Sequence, residues 1–223
     1  MKLFEKIMYP ILVIFLFVAI YVSRTNIIYF ESSLAVDDGL FQWMIFYTLL
    51  FASILCFYRA YILKPFRGSV FATFSVIAGI VFFGFAMDEI SWAQRVIGYN
   101  APQFFLDHNT KLQVNFHHLV INGFRVNNII FTLSVKILAT LYFIVLPFFY
   151  NKLNQIKSFV NRFAIPLPRY SQIGAYVVLG ALVNLIPSGL NYVIFEFGFY
   201  WILVLMIYNP INEEVFLRKS LVR

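Results

Sequence analysis

The stretch from Asp88 to Arg95 places acidic, basic and hydrogen-bonding groups side by side in an otherwise apolar chain. Two carboxylates come first, followed by a hydroxyl, an indole, an amide and a guanidinium. Carboxylates can transfer protons or bind a cation, and a guanidinium can hold a phosphate group. Because only 12% of the chain is charged and 61% is hydrophobic, so many polar groups in one stretch indicate a functional site.

The positions of these groups depend on whether the preceding apolar helix continues past Met87. If it does, the helical spacing predicts one shared face for four residues: Asp88, Ser91, Trp92 and Arg95. Glu89 would then lie about a quarter turn away from that face.

Each polar group in the stretch has a possible role in an enzyme. Glu89 would be the general base or acid, and Asp88 its partner or a metal ligand. Arg95 would hold a phosphate, and His117 would be the second proton-transfer group. The side chains expected to contact a ligand are those of Ser91, Trp92, Gln94, Asn109 and Asn115.

The three histidines, His108, His117 and His118, all fall in one predicted loop. His117 and His118 are adjacent, so they point in different directions on either a helix or a strand. The sequence has no HxxxH or HExxH pair that would place two imidazoles on one helical face. The spacing therefore predicts no metal site, and no cofactor is indicated. Convergence of one histidine with Asp88 or Glu89 through the fold stays open.

Apolar runs dominate the chain, with a mean hydropathy of +0.81 and 20% aromatic residues. Six runs approach the length of about 20 residues that crosses a bilayer as a helix. They cover roughly 7–23, 41–63, 69–87, 127–149, 172–188 and 190–208. The sequence predicts a single polytopic, all-α integral membrane domain, 1–223, with about six transmembrane helices.

The placement of lysine and arginine predicts the orientation of these helices. If the N-terminus is cytoplasmic, twelve of these residues fall on the inner side and four on the outer side, while Lys136 falls within a span. Cytoplasmic loops carry an excess of positive charge, so both termini are expected in the cytoplasm, as in a bacterial inner-membrane protein. The net charge of +7 is then membrane-surface charge, and no nucleic-acid binding is expected.

Two connecting segments should be structured. The outer loop 88–126 is expected to form a lid over the span ends, with a short helix at Phe104–Leu106 and further helical spacing over Leu112–Phe124. The inner loop 150–171 has apolar residues at helical spacing, which predicts an amphipathic interfacial helix. Its cations form a candidate surface for the membrane or a cytosolic partner: Lys152, Lys157 and Arg162.

Two ionisable residues fall inside predicted spans. At a rise of 1.5 Å per residue, Lys136 lies roughly 14 Å and Glu196 roughly 9 Å below the outer boundary. Each would cost about 2.5–3.5 kcal/mol if it were unpaired in lipid. We therefore predict an intramembrane pair between them, with Asn184 nearby in the same leaflet.

The polar stretch resembles a segment of uncharacterised bacterial multi-pass membrane proteins, of the form acidic-Glu-Ile-Ser-Trp-Gly-Gln-Arg-Ile-x-Gly. The matching residues are Glu89, Ser91, Trp92, Gln94, Arg95 and Gly98, with Asp88 a conservative change. Ala93 replaces a glycine. The downstream asparagine-rich part is kept as Asn109, Asn115 and His117, and it departs at Gln113 and His118. The resemblance covers about 30 residues and implies a membrane protein without an established activity.

Three functions are compatible with these features. The first is a non-catalytic sensor or assembly subunit that oligomerises and couples an extracytoplasmic polar site to a cytosolic partner, as in an envelope-stress or defence system. The second is an integral-membrane enzyme, a hydrolase or transferase, acting on a lipid or lipid-linked substrate at the outer leaflet through Glu89 and Asp88. The third is a transporter or channel, with Lys136 and Glu196 along its pathway. The bilayer and further copies of the chain are the expected partners.

Overall fold

The computed structural model describes residues 2–126 and 135–218, and for Val135 and Lys136 it describes only the backbone. The protein is all-α, with about 76% of its residues in helices. The helices are α1 (Leu3–Thr25), α2 (Ile27–Tyr29), α3 (Leu40–Glu89), α4 (Gln94–Ile97), α5 (Gln103–His108), α6 (Val135–Thr140), α7 (Leu146–Lys152), α8 (Asn154–Arg162), α9 (Tyr170–Val183) and α10 (Asn191–Tyr208). A small antiparallel hairpin pairs β1 (Val120–Ile121) with β2 (Phe124–Arg125).

Among the described residues, three helices are long and apolar enough to cross a membrane: α1, α3 and α10. Two shorter apolar helices cover Ile137–Lys152, which includes a π-helical turn, and Tyr170–Val183. These helices indicate a membrane protein, because such apolar lengths match the thickness of a hydrocarbon core. The predicted run 127–149 lies partly outside the described residues.

Helix α3 contains two of the predicted runs, 41–63 and 69–87, and it is bent at Gly68. This glycine has φ +83° and ψ 177°, a conformation that residues with a Cβ rarely adopt, and Pro65 precedes it. The hydroxyl of Ser53 donates a hydrogen bond to the carbonyl of Gly79 at 2.8 Å. The two halves of α3 therefore fold back on each other as a helical hairpin.

Helix α10 lies at the centre of the packing, between α1, α3 and α9. Phe197 is fully buried, and its ring centroid lies 5.8 Å from that of Phe15 in α1 and 5.4 Å from that of Phe41 in α3. The close approach of α9 requires Gly198, because a Cβ there would lie 2.5 Å from Leu179 Cδ1. The packing of α10 fixes where its polar residue Glu196 lies.

The helices have two polar ends. We call one of them the lid side; it is the end at which α3 ends and α10 begins. There Arg24 Nε donates to the carbonyl of Leu185 at 3.0 Å. At the opposite side, the guanidinium of Arg59 donates to the carbonyls of Ile207 and Tyr208. Segment 91–126 covers the lid side, and we call it the lid.

The lid departs from the predicted helices in two places. Ser91, Trp92 and Ala93 all have positive φ, at 51°, 53° and 62°, so α3 ends at Glu89. The shared face expected if the helix continued through Arg95 therefore does not form. Helical structure over 112–124 is also wrong, because turns and the β1–β2 hairpin occupy that stretch. The short helix predicted near Phe104 is confirmed as α5.

The predicted helix in the connection 150–171 is confirmed as α8, Asn154–Arg162. Val160 of this helix is fully buried, and the ring centroids of Phe159 and Phe163 lie 4.5 Å apart. The three cations predicted to form a surface for the membrane or a partner are exposed: Lys152, Lys157 and Arg162. One helix face therefore packs on the protein while the cationic face stays open.

Candidate functional site on the lid side

Asp88 and Glu89 are the last two residues of α3, and both side chains are buried, with 2% and 5% exposed. The C-terminal end of a helix carries a partial negative charge, so carboxylates are unfavourable there without positive or hydrogen-bonding partners. These partners come from the lid and from α10.

The lid supplies two partners to Asp88. Its Oδ1 accepts a hydrogen bond from the backbone N–H of Phe116 at 2.7 Å, and its Oδ2 lies 2.7 Å from His117 Nδ1. The first contact fixes the lid backbone and the second fixes the imidazole ring. With Nδ1 held by a carboxylate, the second ring nitrogen is directed to the remaining acids.

Those remaining acids are Glu89 and Glu196. His117 Nε2 lies 3.9 Å from Glu89 Oε1. One ligand-type atom from each of Glu89, His117 and Glu196 lies within 4.8 Å of the other two. Residues from α3, the lid and α10 thus converge on one point.

A small cavity of about 40 Å³ lies between these groups. Its polar wall includes Asp88, Glu89 and His117, and its apolar wall includes Val36 and Val193. This volume exceeds the roughly 10–15 Å³ that a single water needs, and a larger molecule would not fit without movement of the lid.

The surroundings of His117 shift its affinity for protons. Burial alone lowers its pKa, but the hydrogen bond with Asp88 and the negative charges of Glu89 and Glu196 outweigh burial and raise the pKa from 6.5 to about 9. The site therefore attracts positive charge strongly.

Polar side chains join two parts of the lid, residues 91–94 next to α3 and residues 109–115. Asn115 Nδ2 donates to Ser91 Oγ at 3.0 Å, and Asn109 Nδ2 donates to Asn115 Oδ1 at 3.1 Å. Gln94 joins this network through Oε1, which accepts from the N–H of Val114 at 2.8 Å. These predicted ligand-contacting residues form the internal support of the lid, and Asn115 also lines the cavity.

A charged cluster lies beside the cavity, centred on Asp37. Its carboxylate pairs with Lys111, with His118 at 3.7 Å and with Arg95 at 3.9 Å. Arg95 Nε also lies 2.8 Å from Asp38 Oδ2, so this predicted phosphate-binding residue contacts acids of the connection before α3. His118 and Lys111 hold the pKa of the Asp37 carboxyl well below its usual range.

The other predicted site residues lie apart from the cavity. Trp92 is 40% exposed, and its carbonyl accepts from the hydroxyl of Tyr99. Asn184 is exposed and donates to the carbonyl of Gly180 in its own helix. The Lys136 side chain lies outside the described residues, so its pairing with Glu196 stays a prediction.

Sequence reasoning missed two parts of the polar structure. The first is the ion-pair cluster around Asp37, which the two adjacent carboxylates Asp37 and Asp38 could have indicated. The second is on the opposite side, where the fully buried Glu5 accepts from Asn209 Nδ2 at 2.8 Å and from Gln172 Nε2 at 3.2 Å. The sequence carried no signal for this network, because Glu5 precedes the predicted run 7–23 and its partners lie far along the chain.

No family model, curated protein or solved structure matches this sequence. Functional conclusions therefore rest on the geometry of the site.

Proposed function

We propose that this protein is an integral-membrane hydrolase acting on a lipid or lipid-linked substrate at the outer leaflet. The arrangement of His117 carries the proposal: Asp88 holds its Nδ1, while its Nε2 faces Glu89 in a small cavity. An imidazole oriented by a buried carboxylate beside a second carboxylate is a common device for activating water.

The chemistry would use a water molecule in the cavity. Its oxygen attacks the electrophilic carbon or phosphorus of the substrate, and Glu89 takes the water proton. The bond to the leaving group then breaks, and Glu89 returns the proton to the leaving oxygen. His117 Nε2 contacts the same water and orients it, so Asp88 acts as a positioning residue.

The location of the cavity supports a lipid-linked substrate. It lies where the apolar helix α3 ends and α10 begins, which is the level of the headgroups in a bilayer-spanning protein. Val36 and Val193 give it an apolar wall beside the acids. Because the cavity is too small for a substrate, the lid must move to admit one.

The proposal includes the orientation of the chain. Six spans, both termini in the cytoplasm and the lid on the extracytoplasmic face of a bacterial inner membrane agree with the distribution of lysine and arginine. A cysteine placed at Asp107 in the lid, in a Cys56→Ser chain, should react with a membrane-impermeant maleimide in intact cells. Reaction only after the cells are broken would reverse the orientation.

An untargeted lipid assay tests the activity. The full chain is reconstituted in vesicles made from native membrane lipids, and mass spectrometry follows loss of a lipid and gain of a hydrolysed product. Glu89→Gln should slow this conversion by about 100-fold, because it removes the proton acceptor. The matched control is Asp107→Asn, the same chemical change at an exposed lid position. An unchanged lipid profile, or equal rates in wild type and Glu89→Gln, would contradict the proposal.

A second candidate function is a sensor subunit that passes a signal from the lid side to a cytosolic protein. The observation that favours it is the exposed cationic face around α8, with Lys152, Lys157 and Arg162. Neutralising all three should then abolish function in cells while lipid hydrolysis in vesicles is unchanged. Loss of activity in both settings would argue against this second function.

A further inference from the structure

We propose that Glu89, His117 and Glu196 form a binding site for a divalent transition-metal ion such as Zn²⁺ or Mn²⁺. Two carboxylates and an imidazole are a ligand set that these ions accept, whereas Mg²⁺ and Ca²⁺ prefer oxygen ligands alone. This ion site rests on the proposed function in one respect, since the ion, bound by His117 Nε2, would replace that nitrogen in holding the water that attacks the substrate.

The distances are close to those of a metal site. Ligands about 2.1 Å from a tetrahedral ion lie about 3.4 Å from one another. His117 Nε2 and Glu89 Oε1 are 3.9 Å apart, and the three ligand atoms lie within 4.8 Å of one another. Side-chain movements of about 1 Å or less would therefore complete the first coordination shell.

The orientation of the imidazole is also that of a metal ligand. Metal-bound histidines usually donate the other ring N–H to a carboxylate or a carbonyl, which fixes the ring and strengthens the ligand. Asp88 Oδ2 lies 2.7 Å from His117 Nδ1 and provides this contact. Asp88 is itself held by the N–H of Phe116, so the contact does not depend on a mobile carboxylate.

The charge balance favours a cation at this point. Asp88, Glu89 and Glu196 surround one cavity, and burying several carboxylates together is costly unless positive charge compensates them. The nearby fixed cations, Arg95 and Lys111, contact Asp37 and Asp38 instead. A divalent ion bound by Glu89 and Glu196 would add positive charge at this cavity.

The cavity leaves room for the ion and its water. About 40 Å³ exceeds the minimum for one water, and the lid residues Asn115, His117 and His118 form part of the cavity wall. A carboxylate has two oxygens, so Glu89 can bind the ion through one and take the water proton through the other. Metal binding would lower the pKa of that water, which is the usual way to obtain a nucleophile near neutral pH.

Direct binding tests the site without reference to catalysis. The full chain is purified in lipid nanodiscs, stripped with a chelator and titrated with Zn²⁺ and Mn²⁺ by calorimetry. We expect one ion per chain, and no displacement by excess Mg²⁺ or Ca²⁺. Glu196→Gln and His117→Gln should each weaken binding by at least 10-fold, whereas the matched controls Asp107→Asn and His108→Gln should not. The absence of saturable binding, or equal affinity in all variants, would overturn the proposal.

X-ray absorption on the zinc-loaded wild type gives a readout that does not depend on variants folding. The expected first shell contains only nitrogen and oxygen at about 2.0 Å. A sulfur shell at about 2.3 Å would place the ion at Cys56 and overturn the proposal.

The two proposals also fail separately. Zinc binding without lipid hydrolysis would contradict only the hydrolase, and hydrolysis that survives chelation would contradict only the metal site.

Discussion

Asp88 binds both the backbone and the side chain of the lid at adjacent residues. Its two oxygens lie 2.7 Å from the N–H of Phe116 and 2.7 Å from His117 Nδ1, across separations of 28 and 29 residues. One carboxylate at the end of α3 therefore makes two contacts with the lid. This residue influences both the position of the lid and the tautomer of the imidazole.

Asp88→Asn should separate these two effects. The asparagine oxygen can still accept from Phe116, but its NH₂ group would donate to His117 Nδ1 and force the proton onto Nε2. An Nε2 that carries a proton cannot bind a metal, so we expect zinc affinity to fall about 10–100-fold while the lid stays closed. Calorimetry measures the affinity, and amide exchange of residues 113–119 reports the lid. Equal affinity in wild type and Asp88→Asn would show that Asp88 does not orient the ring.

Part of this site could be predicted from the sequence. The carboxylates and histidine were candidates because ionisable residues are rare in an apolar chain, and the structure brings Asp88, Glu89 and His117 together. Glu196 was predicted to be a buried acid, but its proximity to Glu89 depends on how α10 packs against α3. Contacts between distant elements do not follow from spacing within one helix.

Asn115 should be the main support of the lid. Its side chain donates to Ser91 Oγ and Gln113 Oε1 and accepts from Asn109 Nδ2, all at 2.9–3.1 Å. Asn115→Ala leaves buried polar groups without these partners, which costs about 1–3 kcal/mol. We expect faster amide exchange across residues 109–119 and a lower unfolding temperature.

The control for Asn115→Ala is Gln103→Ala, which removes one exposed hydrogen bond with Asp107 in α5. It should leave exchange across 109–119 unchanged. Equal exchange in the two variants would mean that the asparagine network does not hold the lid.

Asp37 should make the lid sensitive to acid. His118, Lys111, Arg95 and the neighbouring acid Asp38 surround it, and the first two hold its pKa below the ordinary 3.8. A carboxyl with a lowered pKa contributes stability above its ordinary value, and this contribution is lost as the pH falls towards the lower folded value. The unfolding temperature of the wild type should therefore decrease as the pH falls below about 5.

Asp37→Asn removes this titration. Its unfolding temperature should be lower than that of wild type near neutral pH, and the two curves should approach each other in acid. Asp107→Asn serves as the control and should keep the wild-type dependence. A constant difference between Asp37→Asn and wild type at every pH would exclude this role for Asp37.

The sequence predicted the apolar helices of the fold, but not the turn that follows α3. Apolar runs located the helices, since a run of that length has few other structures available in lipid. The predicted run 69–87 ends two residues before α3 does. The turn that follows α3 was missed because Ser91, Trp92 and Ala93 carry no glycine or proline signal, yet all three have positive φ. The hydrogen bond between Asn115 and Ser91, which joins two parts of the lid, accompanies this unusual turn.

Gly68 should be required for the bend between the halves of α3. Its φ of +83° and ψ of 177° favour glycine, and a Cβ there would meet no neighbouring atoms. Gly68→Ala therefore tests backbone strain alone, and we expect a loss of about 1–3 kcal/mol in the free energy of unfolding. Gly84→Ala is the matched control, because Gly84 is helical with open space around it and alanine favours helices by up to about 1 kcal/mol. If both variants changed stability equally, the bend would not depend on Gly68.

Glu5 should stabilise the opposite side of the protein without affecting the lid side. Its carboxylate is fully buried and accepts from Asn209 Nδ2, Gln172 Nε2 and the N–H of Lys2. Glu5→Gln turns one acceptor oxygen into an NH₂ donor that faces other donors, so it should lower the free energy of unfolding by about 1–3 kcal/mol. Denaturation of the reconstituted chain measures this loss, and zinc affinity should be unchanged because the metal ligands lie at the other end of the helices.

The matched control for Glu5→Gln is Glu213→Gln. This acid pairs with Lys2 and Arg169 at the same end, but its side chain is 35% exposed. Exposed ion pairs contribute at most about 1 kcal/mol, so the control should be clearly less destabilised than Glu5→Gln. The reverse order would mean that the ion pairs of Glu213, rather than the buried hydrogen bonds of Glu5, hold α1 to α9 and to the end of α10. A change in zinc affinity in either variant would instead show that the two ends of the helices are coupled.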